Sequence, residues 1–363
     1  MKKYGNVVLL LILIIALSLS GCGGGGGGKN PPGGGGTNYT PGELKTCTVG
    51  SGASAVSFNL HYVPTVTSFP FGLSDTATAI SKAYWMGETE VTYQLWYAVR
   101  VWAQDVARGD SRYFILRAGI EGNDGDDGTV GSVDPVTNRF EGVAPTDGAK
   151  LEPVTKMLWQ DAIVWCNALT EYYNFTNGTN LTCVYTYNGQ IIRDSSWGSP
   201  VGFDTANLII DVNPNATGFR LPTPEEWEMG AKYKGNDRTN GAVSFGGLYW
   251  TPNNYASGAT AKLYDGMDDL TAENDAATAA VAWLSYNSDG HTHPVGERNH
   301  NNLGIYDMSG NVFEWVYRIN GRYREHRGSC FEWYFYCSVG EPGREIDLTI
   351  PEERIGFRFI RNQ

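Results

Sequence analysis

The chain is short of charge. Asp, Glu, Lys and Arg make up 18% of its 363 residues, and acids outnumber bases 39 to 27, for a net charge of −12. Phosphate binding needs clustered Lys and Arg, so this balance excludes nucleic acid as a partner. There is no Cys-x-x-Cys pair, no His-Glu-x-x-His and no Gly-rich loop closed by Lys-Ser/Thr. Those absences remove the usual sequence signatures of zinc sites, dithiol redox centres and nucleotide phosphate cradles. Long apolar runs are missing too: the run at residues 7–19 is too short to span a bilayer comfortably. Beyond Cys22 the cysteines are Cys47, Cys166, Cys183, Cys330 and Cys337, an odd number that cannot all pair within one chain.

What is present begins with an export signal. Lys2 and Lys3 precede the apolar run, and small residues close it. The closing "LSGC" resembles a bacterial lipobox, which implies cleavage before Cys22 and lipidation of that cysteine. Gly23, where an inner-membrane sorting Asp would stand, implies the outer membrane. Residues 23–43 are dominated by glycine, cannot bury apolar surface, and read as a flexible tether. Residues 1–22 are thus a signal peptide, 23–43 a tether, and 44–363 one globular domain, lipid-anchored, displayed at the cell surface and expected to be monomeric.

Within the domain the periodicity is mixed. Residues 44–70 alternate like strands, either a small β cap or the first strands of the main sheet. Leu95, Trp96, Val99 and Trp102 recur at helical spacing behind a candidate N-cap, Thr92. A second amphipathic helix carries Leu158, Ala162, Ile163, Cys166 and Leu169. Thr223 and Glu226 form a capping box with Pro224 at the first helical position, so a strand at residues 219–221 leads into a short helix. The acidic "GNDGDDG" holds Asp124, Asp126 and Asp127 but no terminal bidentate Glu, and reads as a solvated loop. The remainder is Gly, Asn and Asp punctuation between short apolar pieces, ending in "IGFRFIR", read as the last strand. The class is α+β.

Six segments in order, "MGETEVT", "DAIVWCNALTE", "GFRLPTPEEWE", "HPVGERNHNNLGIYDMSGNVFEW", "RGS" and "IGFRFIR", resemble the formylglycine-generating-enzyme (sulfatase-modifying factor) family. The resemblance implies a C-type-lectin-like fold: small twisted antiparallel sheets, two main helices and much irregular chain. Its enzymes hold copper with two cysteines, three and eight positions past the serine of "RGS". Here those positions are Glu332 and Cys337. A hard carboxylate does not replace a soft thiolate on Cu(I), so no catalytic residue is assigned. Another branch of the family binds ligands through a C-terminal segment diversified by retroelements. The tethered lipoprotein layout resembles that branch and implies a variable segment at about 317–354. The resemblance also implies a structural calcium, held by the side chains of Asp307 and Glu314 and the carbonyls of Gly310 and Val312. The alternative is a hydrogen-bonded turn around Asn311 with both carboxylates free.

The stretch "CFEWYFY" neither alternates nor runs β-branched, so it does not read as a buried strand. Its rings offer rigid amphipathic area of the kind that dominates binding faces. Two or three of Phe331, Trp333, Phe335 and Tyr336 are expected to be exposed. The candidate ligand-binding residues are Tyr323, Cys330, Phe331, Glu332, Trp333, Tyr334, Phe335, Tyr336, Glu341, Arg344, Glu345 and Asp347, with "EPGREIDLTIPEER" as loop. The leading expectation is a non-enzymatic receptor for a protein or cell-surface ligand, requiring no cofactor. The alternatives are a copper-dependent oxidase of the formylglycine-generating type and a calcium-dependent, sugar-binding lectin. For the lectin, Glu341-Pro342 lacks the Asn that should follow.

Overall fold

Two antiparallel ladders organise the chain. The computed structural model describes residues 39–123, 133–134, 139–140, 142–196, 210–263, 272–334 and 336–363. Cys22, residues 23–38, Asp124, Asp126, Asp127 and Phe335 lie outside the described residues. The first sheet has five strands in the order β1-β2-β3-β9-β4. These are β1 (Leu44–Val49), β2 (Val56–Val63), β3 (Tyr84–Gly87), β4 (Phe219–Arg220) and β9 (Ile360–Asn362). The early strands therefore belong to the main sheet. Order begins before β1: Tyr39 packs edge-on to Trp85, and Gly42 donates its N–H to the Tyr62 carbonyl. Residues 39–43, expected to be tether, thus pack against the main sheet.

The helices follow their caps. Helix α1 (Tyr93–Gln104) starts at Thr92, whose hydroxyl accepts from the Leu95 N–H, and buries Leu95, Trp96 and Val99. Trp102 is half-buried and stacks on Tyr172. Helix α2 (Trp159–Asn177) is not amphipathic as expected; from Trp159 to Thr170 every residue is buried. Two of its buried polar side chains are satisfied internally: Asp161 accepts from the Leu158 N–H at 2.9 Å, and Asn167 donates to the Tyr185 carbonyl at 2.8 Å, while the Gln160 amide is buried without a hydrogen-bond partner among the described residues. Cys166 is core, its thiol pushed well up by burial. Helix α3 (Pro224–Lys232) has the expected reciprocal capping box, with Glu226 N–H on Thr223 Oγ1 and Thr223 N–H on Glu226 Oε2.

The second sheet, β7-β6-β5-β8, comprises β5 (Phe313–Asn320), β6 (Tyr323–Arg327), β7 (Arg344–Asp347) and β8 (Ile355–Gly356). Two sequence expectations change here. The segment read as loop contains β7, paired antiparallel to β6. The terminal "IGFRFIR" is not one strand: β8 pairs parallel with β5, and β9 pairs with β3 and β4 in the other sheet. Between them Arg358 is fully buried. No helix among the described residues is long and apolar enough to cross a membrane.

Candidate ligand-binding face

The face is assembled from β5–β8 and residues 328–343. Alternation along β6 sends its side chains two ways. Glu325 and Arg327 enter a chain of ion pairs: Lys232 to Glu228 (2.6 Å), Arg327 to Glu228 (2.9 Å), Arg327 to Glu325 (2.8 Å) and Arg318 to Glu325 (3.0 Å). This network ties β6 to α3 and fixes where the face sits. The neighbouring residue, His326, takes the other side, against Phe313 (4.5 Å between ring centroids) and opposite Arg344 of β7.

Between Cys330 and Cys337 the described residues, 330–334 and 336–337, form an arch pinned at both ends. At one end Phe331 donates its N–H to the Asn311 carbonyl, and its own carbonyl accepts from Ser288 Oγ, both at 2.8 Å. At the other, Ser309 Oγ donates to the Cys337 carbonyl at 2.6 Å. The stretch is irregular, as its composition implied. The exposure expectation is only partly met. Phe331 and Cys330 are 0% exposed and pack in the main core with α1 and α2, so neither faces a ligand. Their pinned backbone leaves the side chains no outward direction. Glu332 and Tyr336 are exposed, while Trp333 and Tyr334 are half-buried. Tyr336, 42% exposed, holds φ at 68°, the left-handed region that a bulky side chain rarely adopts.

Three expected residues converge. The Arg344 guanidinium lies 3.8 Å from the Tyr336 ring centroid and 4.6 Å from that of Trp333, and Trp333 meets Tyr336 at 5.7 Å. Beside them is a groove of about 160 Å³ walled by Phe313, Trp333, Ile346 and Ile355. His326 and Arg354 also line it. Arg354 is held by Glu352 (2.8 Å) and Glu332 (3.5 Å). Burial first, then Arg344 and Arg354, push His326 down to about 3, so its imidazole is neutral. Its Nδ1 is buried without a partner.

The other expected residues do not join this group. Tyr323 and Asp347 pair through the Glu325 side of the ladder, and Asp347 binds Arg322; Glu345 also pairs opposite Glu325 but, with Glu352, borders the groove. Glu341 sits in a turn onto the Ser338 carbonyl. His326, Arg354 and Phe313 were missing from the sequence-derived set. The alternation of "YREHR" was the available signal for His326, but naming its face requires the strand pairing. Two larger concavities, of about 370 Å³ and about 380 Å³, are lined by Glu88 and by Arg220, whose polar atoms are engaged, though the first also reaches Glu90, whose buried carboxylate has no hydrogen-bond partner among the described residues. Glu88 accepts from Asn59 and His61, and Arg220 forks onto Glu226.

The enzyme-like positions are chemically quiet. Cys337 is buried and its thiol is pushed up to about 12 by burial, as is that of Cys330. Protonated, buried thiols are poor ligands and nucleophiles. Glu332 is turned outward onto Arg354. All cysteines among the described residues are free.

The expected calcium donors do not fit the ion. Glu314 is fully buried; Oε1 accepts from Arg358 Nη2 (2.6 Å), and Oε2 from Arg358 Nε and Trp227 Nε1 (2.7 Å each). Asp307 Oδ2 accepts from the Gly296 N–H at 2.7 Å, while its Oδ1 and both carboxylate oxygens of Glu90 have no hydrogen-bond partner among the described residues. Burial raises Asp307 to about 6 and Glu90 beside it well above its usual range, driving both towards the neutral form. Calcium takes six to eight oxygens, and here Arg358 already supplies the positive charge. Of the set Asp307, Gly310, Val312 and Glu314, the Glu314 carboxylate is held in a buried ion pair with Arg358, beside a turn. In that turn Asn311 bonds the His293 N–H (3.0 Å) and carbonyl (3.2 Å). Among the described residues no group of three His, Cys, Asp or Glu could hold a metal.

Comparison with known proteins agrees with this architecture. Treponema denticola variable protein 1 (TvpA) is 26% identical with a TM-score of 0.56, over 88% of this chain and 99% of that one. CarF, at 23% identity and TM-score 0.55 over 84% of this chain and 98% of its own, shares the fold. Chaperone protein LppX of Paenibacillus barcinonensis is 31% identical over 190 residues, 52% of this chain and 55% of that protein. The match thus spans about half the length of each. The family model described as "Sulfatase-modifying factor enzyme 1-like domain" matches residues 68–363. The chain belongs to that family.

Proposed function

We propose that the protein is a non-enzymatic lipoprotein of the outer-membrane surface. It binds a protein ligand through the face made by Trp333, Tyr336 and Arg344. The observation that carries this reading is the arch that begins at Cys330 and ends at Cys337: buried at its ends, it presents ring surface between them, joined by the Arg344 guanidinium of β7, at the cost of a strained Tyr336. Aromatic and Arg side chains of this kind dominate binding hot spots. The protonated Cys337 and the outward Glu332 support a role without copper chemistry. The likeness to a variable protein supports a diversified segment at about 317–354, and a relative named as a chaperone also favours binding over catalysis.

The test pairs two assays on the purified full chain. Incubation with a cysteine-containing sulfatase peptide, Cu(I) and oxygen is expected to leave the cysteine unchanged by mass spectrometry. A panel of purified extracellular proteins is expected to yield binders that a Trp333→Ala, Tyr336→Gly double variant loses. Conversion of the peptide cysteine to formylglycine, or binders indifferent to the double variant, contradicts the proposal.

A further inference from the structure

The groove beside Arg344 is too small for a whole small-molecule ligand. Pockets that engulf such ligands run to roughly 300–1,000 Å³, against about 160 Å³ here. It has room for one side chain of a larger partner. Its walls are mostly rings and hydrocarbon, which favour a short aliphatic stem. Its polar groups define what must lie at the end of that stem.

Arg344 is the key group. Its guanidinium carbon lies over the Tyr336 ring at 3.8 Å, with the Trp333 ring at 4.6 Å, and it has no ion pair among the described residues. Contact with a ring face uses the cation's charge and does not consume its hydrogen bonds. The N–H donors lie in its plane, at the edge, and remain available in the fork geometry that matches a carboxylate. The neighbouring acids are engaged elsewhere: Glu332 and Glu352 on Arg354, Glu345 on Asn320. His326 lines the same groove with a buried Nδ1 that has no partner. A neutral imidazole can donate one further hydrogen bond from that nitrogen.

We infer that this groove takes the side-chain carboxylate of an Asp or Glu presented by a protein partner, with Arg344 as the fork and His326 as an additional donor. This rests on the protein-binding reading above and gives it a chemical class. Discrimination follows from the same parts. An amide in the carboxylate's place loses the charge and one acceptor, and a basic side chain meets Arg344 and Arg354 in a groove whose own acids, Glu345 and Glu352, already have partners in Asn320 and Arg354.

The experiment is selection of a random peptide display library on the purified full chain. Enriched peptides are expected to share an Asp or Glu. Changing that acid to its amide should weaken binding at least tenfold on the wild-type chain and less than threefold on Arg344→Gln. Arg344→Lys, which keeps the charge and the aliphatic stem but not the fork, should fall between. Thermal melting of both variants checks that the fold is intact. Peptides that need Trp333 and Tyr336 but share no acid, or whose acid-to-amide loss is the same on Arg344→Gln, overturn the carboxylate assignment and leave the binding face standing. Recovery of no peptide sensitive to Trp333→Ala or Tyr336→Gly overturns both. Binding seen only on a glycan array, and lost in Arg344→Gln, also overturns the assignment.

Discussion

The two sides of the β5–β8 sheet use charge in opposite ways. Towards α3 and the terminal crossing, two guanidinium groups meet carboxylates out of solvent: Arg327 on Glu228 and Glu325, Arg358 on Glu314. Towards the arch, Arg344 meets rings instead, and its in-plane donors are not spent on an acid. A buried pair is costly to break because the survivor is left unsolvated, so the first side is rigid. A half-exposed stack is cheap to alter, so the second side can change without loss of fold. The contrast separates scaffold from binding surface within four strands.

The largest expected effect lies on the scaffold side. Arg358→Met leaves Glu314 buried without its partner and should cost about 3–5 kcal/mol in chemical denaturation. A loss below about 1 kcal/mol would show that the pair does not hold the two sheets together. Next comes a comparison within the arch. Phe331→Ala empties a core site and should cost about 3–5 kcal/mol. Tyr336→Gly relieves a left-handed backbone and should be neutral or stabilising by about 1 kcal/mol. Equal losses at the two positions would erase the distinction between anchor and face.

Per pH unit, a smaller effect is expected from acid. His326 stays neutral in the fold down to about pH 3, whereas the unfolded imidazole takes its proton near pH 6.5. Between these values the unfolded chain binds more protons, so stability rises with pH across that window and is complete above it. The slope due to this residue is at most about 1.4 kcal/mol per pH unit, and His326→Gln should remove it. An unchanged slope in that variant would mean the imidazole titrates normally. The smallest effect is none at all: chelation should leave the melting temperature unchanged. A fall on chelation, restored by calcium, would reinstate the metal at Asp307.

Local rules were legible in the sequence where the chain obeys local physics. The Thr92 cap, the Thr223–Glu226 box and the α+β class follow from spacing alone, and the ordered motifs gave the family. Partner choice was not legible. Glu314 has the chemistry of a calcium ligand until Arg358, 44 residues on, is seen beside it. Phe331 and Tyr336 are equally aromatic, and only the hydrogen bonds that pin the arch assign one inward and one outward. The break in "IGFRFIR" arises because two sheets compete for one strand, which periodicity cannot show.

The central claim is that the outward residues bind and the scaffold does not need them. The direct measurement is a full chain carrying Glu332→Ser, Trp333→Ser, Tyr336→Gly and Arg344→Ser together, assayed for melting and for binding to selected peptides. The expected result is a melting temperature within a few degrees of the parent and loss of all peptide binding. A cooperative fold lost at room temperature, or binding that survives all four changes, would contradict it.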